Sequence, residues 1–142
     1  MASSNLSPIL YVDDVDQALA FYRDGLGFTE LWTAAGPDGG APIIAAVQVE
    51  DASLMVSQMP MFAPANGGAR GDGVTMWFNL AEPVDDYFAR FRDVSGATVT
   101  QEPIDYPWGD RAFTLRDPFG YTLTFANFTQ PDDGATGEGW QG

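Results

Sequence analysis

Apolar residues fall into short runs whose periodicity switches along the chain. Residues 7–12 (SPILYV) are brief, apolar and partly β-branched, which predicts a strand. Val15, Leu19, Tyr22 and Leu26 then recur every three to four residues, the spacing of an amphipathic helix. Asp13 or Asp14 would cap its start, and Gly25 or Gly27 would end it. Residues 28–33 predict a second strand and residues 36–40 (GPDGG) a turn. Residues 42–50 and 52–59 predict two more strands, joined tightly at Glu50 and Asp51. A stretch rich in Pro, Gly and Ala follows at 60–73 and reads as a linker loop.

The second half repeats this order. Residues 74–80 (VTMWFNL) predict a strand, and Val84, Tyr87, Phe88 and Phe91 form a helical face within 83–95, with Pro at or near the first turn. Residues 97–101, 111–116 and 121–127 predict three further strands. Sliding the chain by 69 positions lays residues 15–29 over 84–98, and seven of the fifteen pairs are identical. That period is too long for a solenoid and two copies are too few, so a duplicated βαβββ module is the better description. The expected organisation is an arm at 1–6, modules at 7–59 and 74–128 around the 60–73 linker, and a mobile tail at 129–142 that carries Trp140. One helix covers one face of each sheet, so the other face needs a partner or a ligand. Two such sheets would form a concave, cup-like site.

Composition then removes whole classes of chemistry. The 142-residue chain has no His and no Cys, and its six cations are all Arg. Histidine-based metal sites, catalytic triads, thiolate nucleophiles and disulfides are therefore excluded. A net charge of −14 repels phosphate backbones, which argues against nucleic acid and anionic membranes as partners. It favours a cationic small molecule, or reflects nothing more than solubility or a salty cytoplasm. No apolar run approaches the roughly 20 residues needed to span a bilayer. The first seven residues lack the basic and apolar regions of a signal peptide, so a cytoplasmic protein is expected.

Two longer motifs carry a family resemblance. Residues 12–28 (VDDVDQALAFYRDGLGF) resemble the first strand–helix segment of the vicinal oxygen chelate superfamily, also called the glyoxalase/bleomycin-resistance/dioxygenase family. Residues 107–109 (PWG) followed by 113–125 (FTLRDPFGYTLTF) resemble its closing hairpin. The resemblance spans roughly residues 7–127 and implies an α+β fold: two tandem βαβββ modules forming a cup-shaped mixed sheet. Because fold does not assign function, the site must be read residue by residue.

Enzymes of that superfamily hold a divalent metal with His, Glu or Gln from four strands. The resemblance places those positions at Ser7, Met55, Thr75 (or Met76) and Thr124, none a competent ligand, since thioethers are soft and lone hydroxyls bind divalent ions poorly. No metal and no cofactor are expected. Glu30, Glu50, Glu102 and Asp105 are read as ordinary surface carboxylates. Alternation along strands puts Ile9 and Tyr11 with Ser7, Ser57 with Met55, Trp77 and Asn79 with Thr75, and Thr122 with Thr124. This aromatic and small-polar set suits a planar ligand, although a strand tryptophan can equally be core. Metal-free bleomycin-resistance proteins sandwich the flat part of a drug between a strand Trp and an aromatic of a Pro-Trp-Gly loop. That resemblance implies stacking roles for Trp77 and Trp108, a place for Gly109 in the same loop, a contact for Ser57, and a homodimer. Trp32, expected at the end of the second strand, would face either the ligand or the dimer interface. The Asp117–Gly120 motif reads as a tight turn and Asp13, Asp14, Asp16, Asp85 and Asp86 as helix caps and first-turn charges. The expected function is metal-free binding and sequestration of an antibiotic or aromatic metabolite. The alternative is a divergent glyoxalase-like lyase, isomerase or dioxygenase with a non-standard site.

Overall fold

Hydrogen bonding realises the strand–helix–three-strand order twice. The computed structural model describes residues 4–65 and 68–128, so the expected arm is seen only in part, and the expected tail with Trp140 lies outside the described residues. The chain divides between Asp72 and Gly73 into two compact units.

In the first unit β1 (Ile9–Tyr11) leads into α1 (Val15–Leu19), followed by β2 (Thr29–Ala35), β3 (Pro42–Val49) and β4 (Ala52–Ser57). The sheet order is β1-β4-β3-β2, with β1 parallel to β4 and the other pairs antiparallel. The second unit repeats it with β5 (Thr75–Asn79), α2 (Val84–Phe91), β6 (Thr98–Asp105), β7 (Asp110–Arg116) and β8 (Thr122–Phe128), in the order β5-β8-β7-β6. Each unit is thus a mixed four-stranded sheet with one α-helix among the described residues, an α+β arrangement; the first also carries a short 3-10 turn at Pro60–Phe62.

The first helix departs from the regular α-helix its spacing predicted. Asp14 caps it, its side chain accepting the Gln17 amide, but after Leu19 the chain continues as a π-helix over Ala20–Gly25. The consecutive rings of Phe21 and Tyr22 are both buried and meet edge to face at 5.0 Å. An α turn separates neighbouring side chains by about 100°. The wider π turn, with Leu26 N–H bonded to Phe21 C=O at 2.8 Å, keeps both inside. Gly27, at φ +84°, then reverses the chain.

The second helix ends at Phe91 rather than reaching residue 95, and Pro83 occupies its cap position. β6 runs four residues beyond its expected end. It is an edge strand with register shifts on both sides of Gln101, so Pro103, which lacks an N–H, is accommodated without breaking a central ladder.

Both helices begin on a side-chain amide supplied from the last strand of the unit or the residue just after it. Gln58 Oε1 accepts the Val15 amide at 2.9 Å, and Asn127 Oδ1 accepts the Val84 amide at 2.7 Å. Donor and acceptor positions are each separated by the same 69 residues that relate the two halves of the sequence. Asn127 also donates to the Leu80 and Glu82 carbonyls, tying β8 to the segment before α2. The Asp117–Gly120 turn is a structural device, as expected: buried Asp117 accepts the Phe119 and Tyr121 amides at 2.9 and 2.8 Å.

Candidate functional site

Cross-strand register assigns every strand residue to a face. In the first unit Arg23 of the π-helical segment reaches Glu30, which pairs with Val47, so the helix covers the Val47 side. The helix-free face then carries two rows. Trp32, Ala46, Met55 and Ile9 form one, and Ala34, Ile44, Ser57 and Tyr11 the other. In the second unit Phe91 packs on Phe125 at 5.1 Å, which places the helix on the Phe125 side. Its helix-free face carries Trp77, Thr124, Thr114 and Gln101 in one row, and Asn79, Ala126, Ala112 and Ile104 in the next.

Tyr11, Met55 and Ser57 therefore share one face with Trp32, and Trp77 and Asn79 share the corresponding face of the other unit. Trp32 stands in the middle of β2 rather than at the end of a strand, and is 45% exposed. The lengthening of β2 to Ala35 moves it there. Ser57 is fully buried and its Oγ accepts the Met59 amide at 3.1 Å.

Trp77 is 40% exposed, too open for a core side chain. Its indole N–H donates to Asn79 Oδ1 at 3.0 Å, which fixes the ring against its own strand. Trp108 lies in the turn between β6 and β7 and donates to Asp110 Oδ2 at 2.7 Å. Tyr106 bridges the two tryptophans: it stacks on Trp108 at 4.6 Å and 16°, and lies 6.5 Å from Trp77. Composition and motif reading passed over Tyr106, although its place just before Pro107-Trp108 was the available signal. Gly109 has φ +110°, and a Cβ there would sit 3.0 Å from the Phe128 ring, so the turn admits only glycine without strain.

Register locates the strand positions that the family resemblance marks for a metal. Ile9 lies beside Met55 and Trp77 beside Thr124, with Ser7 and Thr75 two residues earlier in the chain. Thr124 Oγ1 is hydrogen-bonded to Thr114 Oγ1 at 2.8 Å. Neither Ser7, Met55, Thr75 and Thr124 nor the register neighbours Ile9 and Trp77 offer the carboxylate or imidazole donors that suit a divalent ion. Two of the stray carboxylates pair with arginines and a third lies in a turn. Glu30 holds Arg23 at 2.7 Å, Asp105 holds Arg111 at 3.3 Å, and Glu50 sits in the β3–β4 turn at φ 51°. The Asp85 and Asp105 carboxylates keep the Arg111 guanidinium above its ordinary pKa. Among the described residues no group of three or more His, Cys, Asp or Glu converges, and no helix is long and apolar enough to cross a membrane. A surface depression of about 550 Å³ beside α2, lined by Glu82, Asp86, Tyr87, Ala89 and Arg90, contains none of the expected site residues.

The duplicated module and its register define a class. The sequence profile of the Glyoxalase/Bleomycin resistance protein/Dioxygenase superfamily matches residues 6–125, and the chain belongs to that superfamily. An uncharacterized protein of Mycobacterium bovis is 37% identical over 123 residues, which cover 82% of this chain and 78% of that protein. The crystal structure of TioX from Micromonospora sp. ML1 is similar with a TM-score of 0.69 at 26% identity, covering 89% of this chain and 99% of that one. The bleomycin-binding protein of Streptomyces verticillus, crystallised with copper(II)-bleomycin, shares the fold with a TM-score of 0.59 at 24% identity, covering 88% and 96%.

Proposed function

We propose that this protein binds and sequesters a planar aromatic small molecule, without a metal ion and without transforming it. The observation that carries this reading is the run of Trp77, Tyr106 and Trp108 on the second unit. Three adjacent aromatic rings, one of them 40% exposed on a helix-free sheet face, form a stacking surface flanked by the polar Asn79. Tyr11, Trp32 and Met55 extend the same character on the first unit; buried Ser57 is left out of the contact set. Copper(II)-bleomycin on the Streptomyces verticillus relative supports a small-molecule role for the fold. The donor set at the inherited ligand positions opposes metal-assisted catalysis. The active form is a homodimer, checked by sedimentation equilibrium.

Isothermal titration against bleomycin-type and other aromatic antibiotics tests this directly. Binding tighter than roughly 100 μM, an interaction worth about 5 kcal/mol, is the expected result. Failure of every compound to reach that affinity would overturn sequestration. Elemental analysis that returned stoichiometric, tightly held Zn, Ni, Mn or Fe would favour a divergent enzyme instead.

A further inference from the structure

The β6–β7 turn holds a carboxylate that serves neither an ion pair nor a helix cap. Asp85 and Asp105 share Arg111, Asp14 caps α1, and Asp117 binds two amides of its own turn. Asp110, half-buried at the start of β7, has no arginine partner among the described residues. Its Oδ2 accepts the Trp108 indole N–H at 2.7 Å instead. Backbone bonds already close the turn: the Tyr106 amide donates to the Asp110 carbonyl at 2.7 Å, and the Gly109 amide to the Tyr106 carbonyl at 3.0 Å. Those bonds set the backbone, and the carboxylate is left to fix the Trp108 ring.

A half-buried tryptophan has two torsions to settle, and aromatic pairs are stable edge to face as well as stacked. Here Trp108 lies flat on Tyr106, at 4.6 Å and 16°. A charge-assisted hydrogen bond is roughly twice as strong as a neutral one, and at the indole N–H it restricts how the ring can turn. Trp77 is tethered through the same atom, by Asn79 at 3.0 Å. We infer that Asp110 is a positioning residue for ligand binding: it holds Trp108 flat on Tyr106 before a ligand arrives, so that binding does not have to order the ring. This rests on the aromatic-binding reading above and names the group that presets its stacking surface. Ordering one such side chain costs a ligand roughly three- to tenfold in affinity, which is the size of the effect that Asp110 supplies. Every residue involved lies in the second unit.

The test titrates two neutral planar probes, 2-naphthylmethanol and naphthalene-2-carboxamide, by NMR. The full chain is used as wild type, Asp110→Ala, Asp110→Asn, Trp108→Phe and the double variant Trp108→Phe with Asp110→Ala. Asp110→Ala should weaken binding at least threefold, whereas Asp110→Asn, which keeps an oxygen acceptor, should stay within twofold of wild type. Trp108→Phe retains a ring but has no N–H, so adding Asp110→Ala to it should change affinity by less than about 1.5-fold. In protein labelled with nitrogen-15 at the indoles, Asp110→Ala should speed solvent exchange of the Trp108 indole proton at least tenfold and leave the Trp77 resonance in place, which also shows that the variant is folded. Should Asp110→Ala fail to fold, the wild type decides: without ligand, its Trp108 indole proton should exchange at least tenfold more slowly than that of free tryptophan, and exchange at the free rate would overturn the assignment. Unchanged binding in Asp110→Ala, or the same loss in the Trp108→Phe background, would also overturn it, while aromatic binding itself still stands. If the wild type binds neither probe, the aromatic-binding reading falls and the positioning role falls with it.

Discussion

The two units share a plan yet fill it with different side chains on each face. On the helix side, the first unit aligns Leu10, Val56 and Ala45, all small or aliphatic. The second aligns Phe78, Phe125 and Phe113, stacked at 4.8 and 5.2 Å with Phe91 edge-on. On the helix-free side, the corresponding rows each carry one tryptophan, at opposite edges of their sheets. Trp32 is on edge strand β2, whereas Trp77 is on edge strand β5. Backbone devices are kept instead: the amide cap on each helix, and a bulge at Leu31 and at Thr100 that recurs at the same 69-residue spacing. Duplicated hydrogen bonds with divergent faces teach that the ladder and caps hold the fold, while the faces are free to specialise. Core faces change by repacking to the same density; the helix-free faces change in what they can bind.

The largest way to break this comparison is in the cores. Phe125→Ala should cost about 3–5 kcal/mol, because a fully buried ring contacting three others leaves a cavity. Val56→Ala at the matching position of the first unit removes two methyl groups and should cost about 1.6 kcal/mol. Urea denaturation measures both, and equal costs would deny that the cores are built differently. Next come the caps. Asn127→Ala removes three hydrogen bonds and should cost about 2 kcal/mol; Gln58→Ala removes the Val15 bond and should cost about 1 kcal/mol. Equal losses would show that the shared acceptor bond carries all of the effect.

Trp77→Ala sharpens the contrast between faces. It should weaken aromatic-ligand binding at least tenfold by titration calorimetry while changing stability by less than about 1 kcal/mol, since the ring is already half exposed. A loss of several kcal/mol in stability would make Trp77 a core residue after all. The smallest effect belongs to the surface. The Arg23 hydrogen bond holds the Asp24 carboxyl below its ordinary pKa. The stability it contributes is therefore present above the usual carboxylate pKa of about 3.9 and is lost as pH falls through the lower folded value. Asp24→Asn should remove that small acid-limb contribution, most visibly at low salt, because both side chains are solvent-exposed.

Much of this was legible in the chain itself. The order of strands and helices, the duplication, the Asp14 cap and the Asp117 turn all follow from local rules, since period, capping chemistry and turn residues act over a few positions. The π-helical turn was not legible. Hydrophobic spacing marks an apolar stripe without saying whether each turn closes four or five residues back, and here Leu26 N–H bonds Phe21 C=O. The extension of β6 past Gln101 was hidden for a related reason, Pro103 being tolerable only where the strand proves to be an edge. At the site, alternation placed Tyr11 with Ser57 and Trp77 with Asn79 correctly by face. It did not reveal the Tyr106–Trp108 stack or the approach of Arg70 to Tyr11, both of which join residues from different elements or turns.

The sequence alone determined what chemistry is absent, with no imidazole, thiol or ammonium side chain, and which module is repeated, because composition and period are properties of the chain. Only the tertiary structure decided which side chains meet. Register set Ile9 against Met55 and Trp77 against Thr124. The physical reason is that register and burial depend on how distant strands align, and a shift of one residue would turn every one of those side chains to the other face.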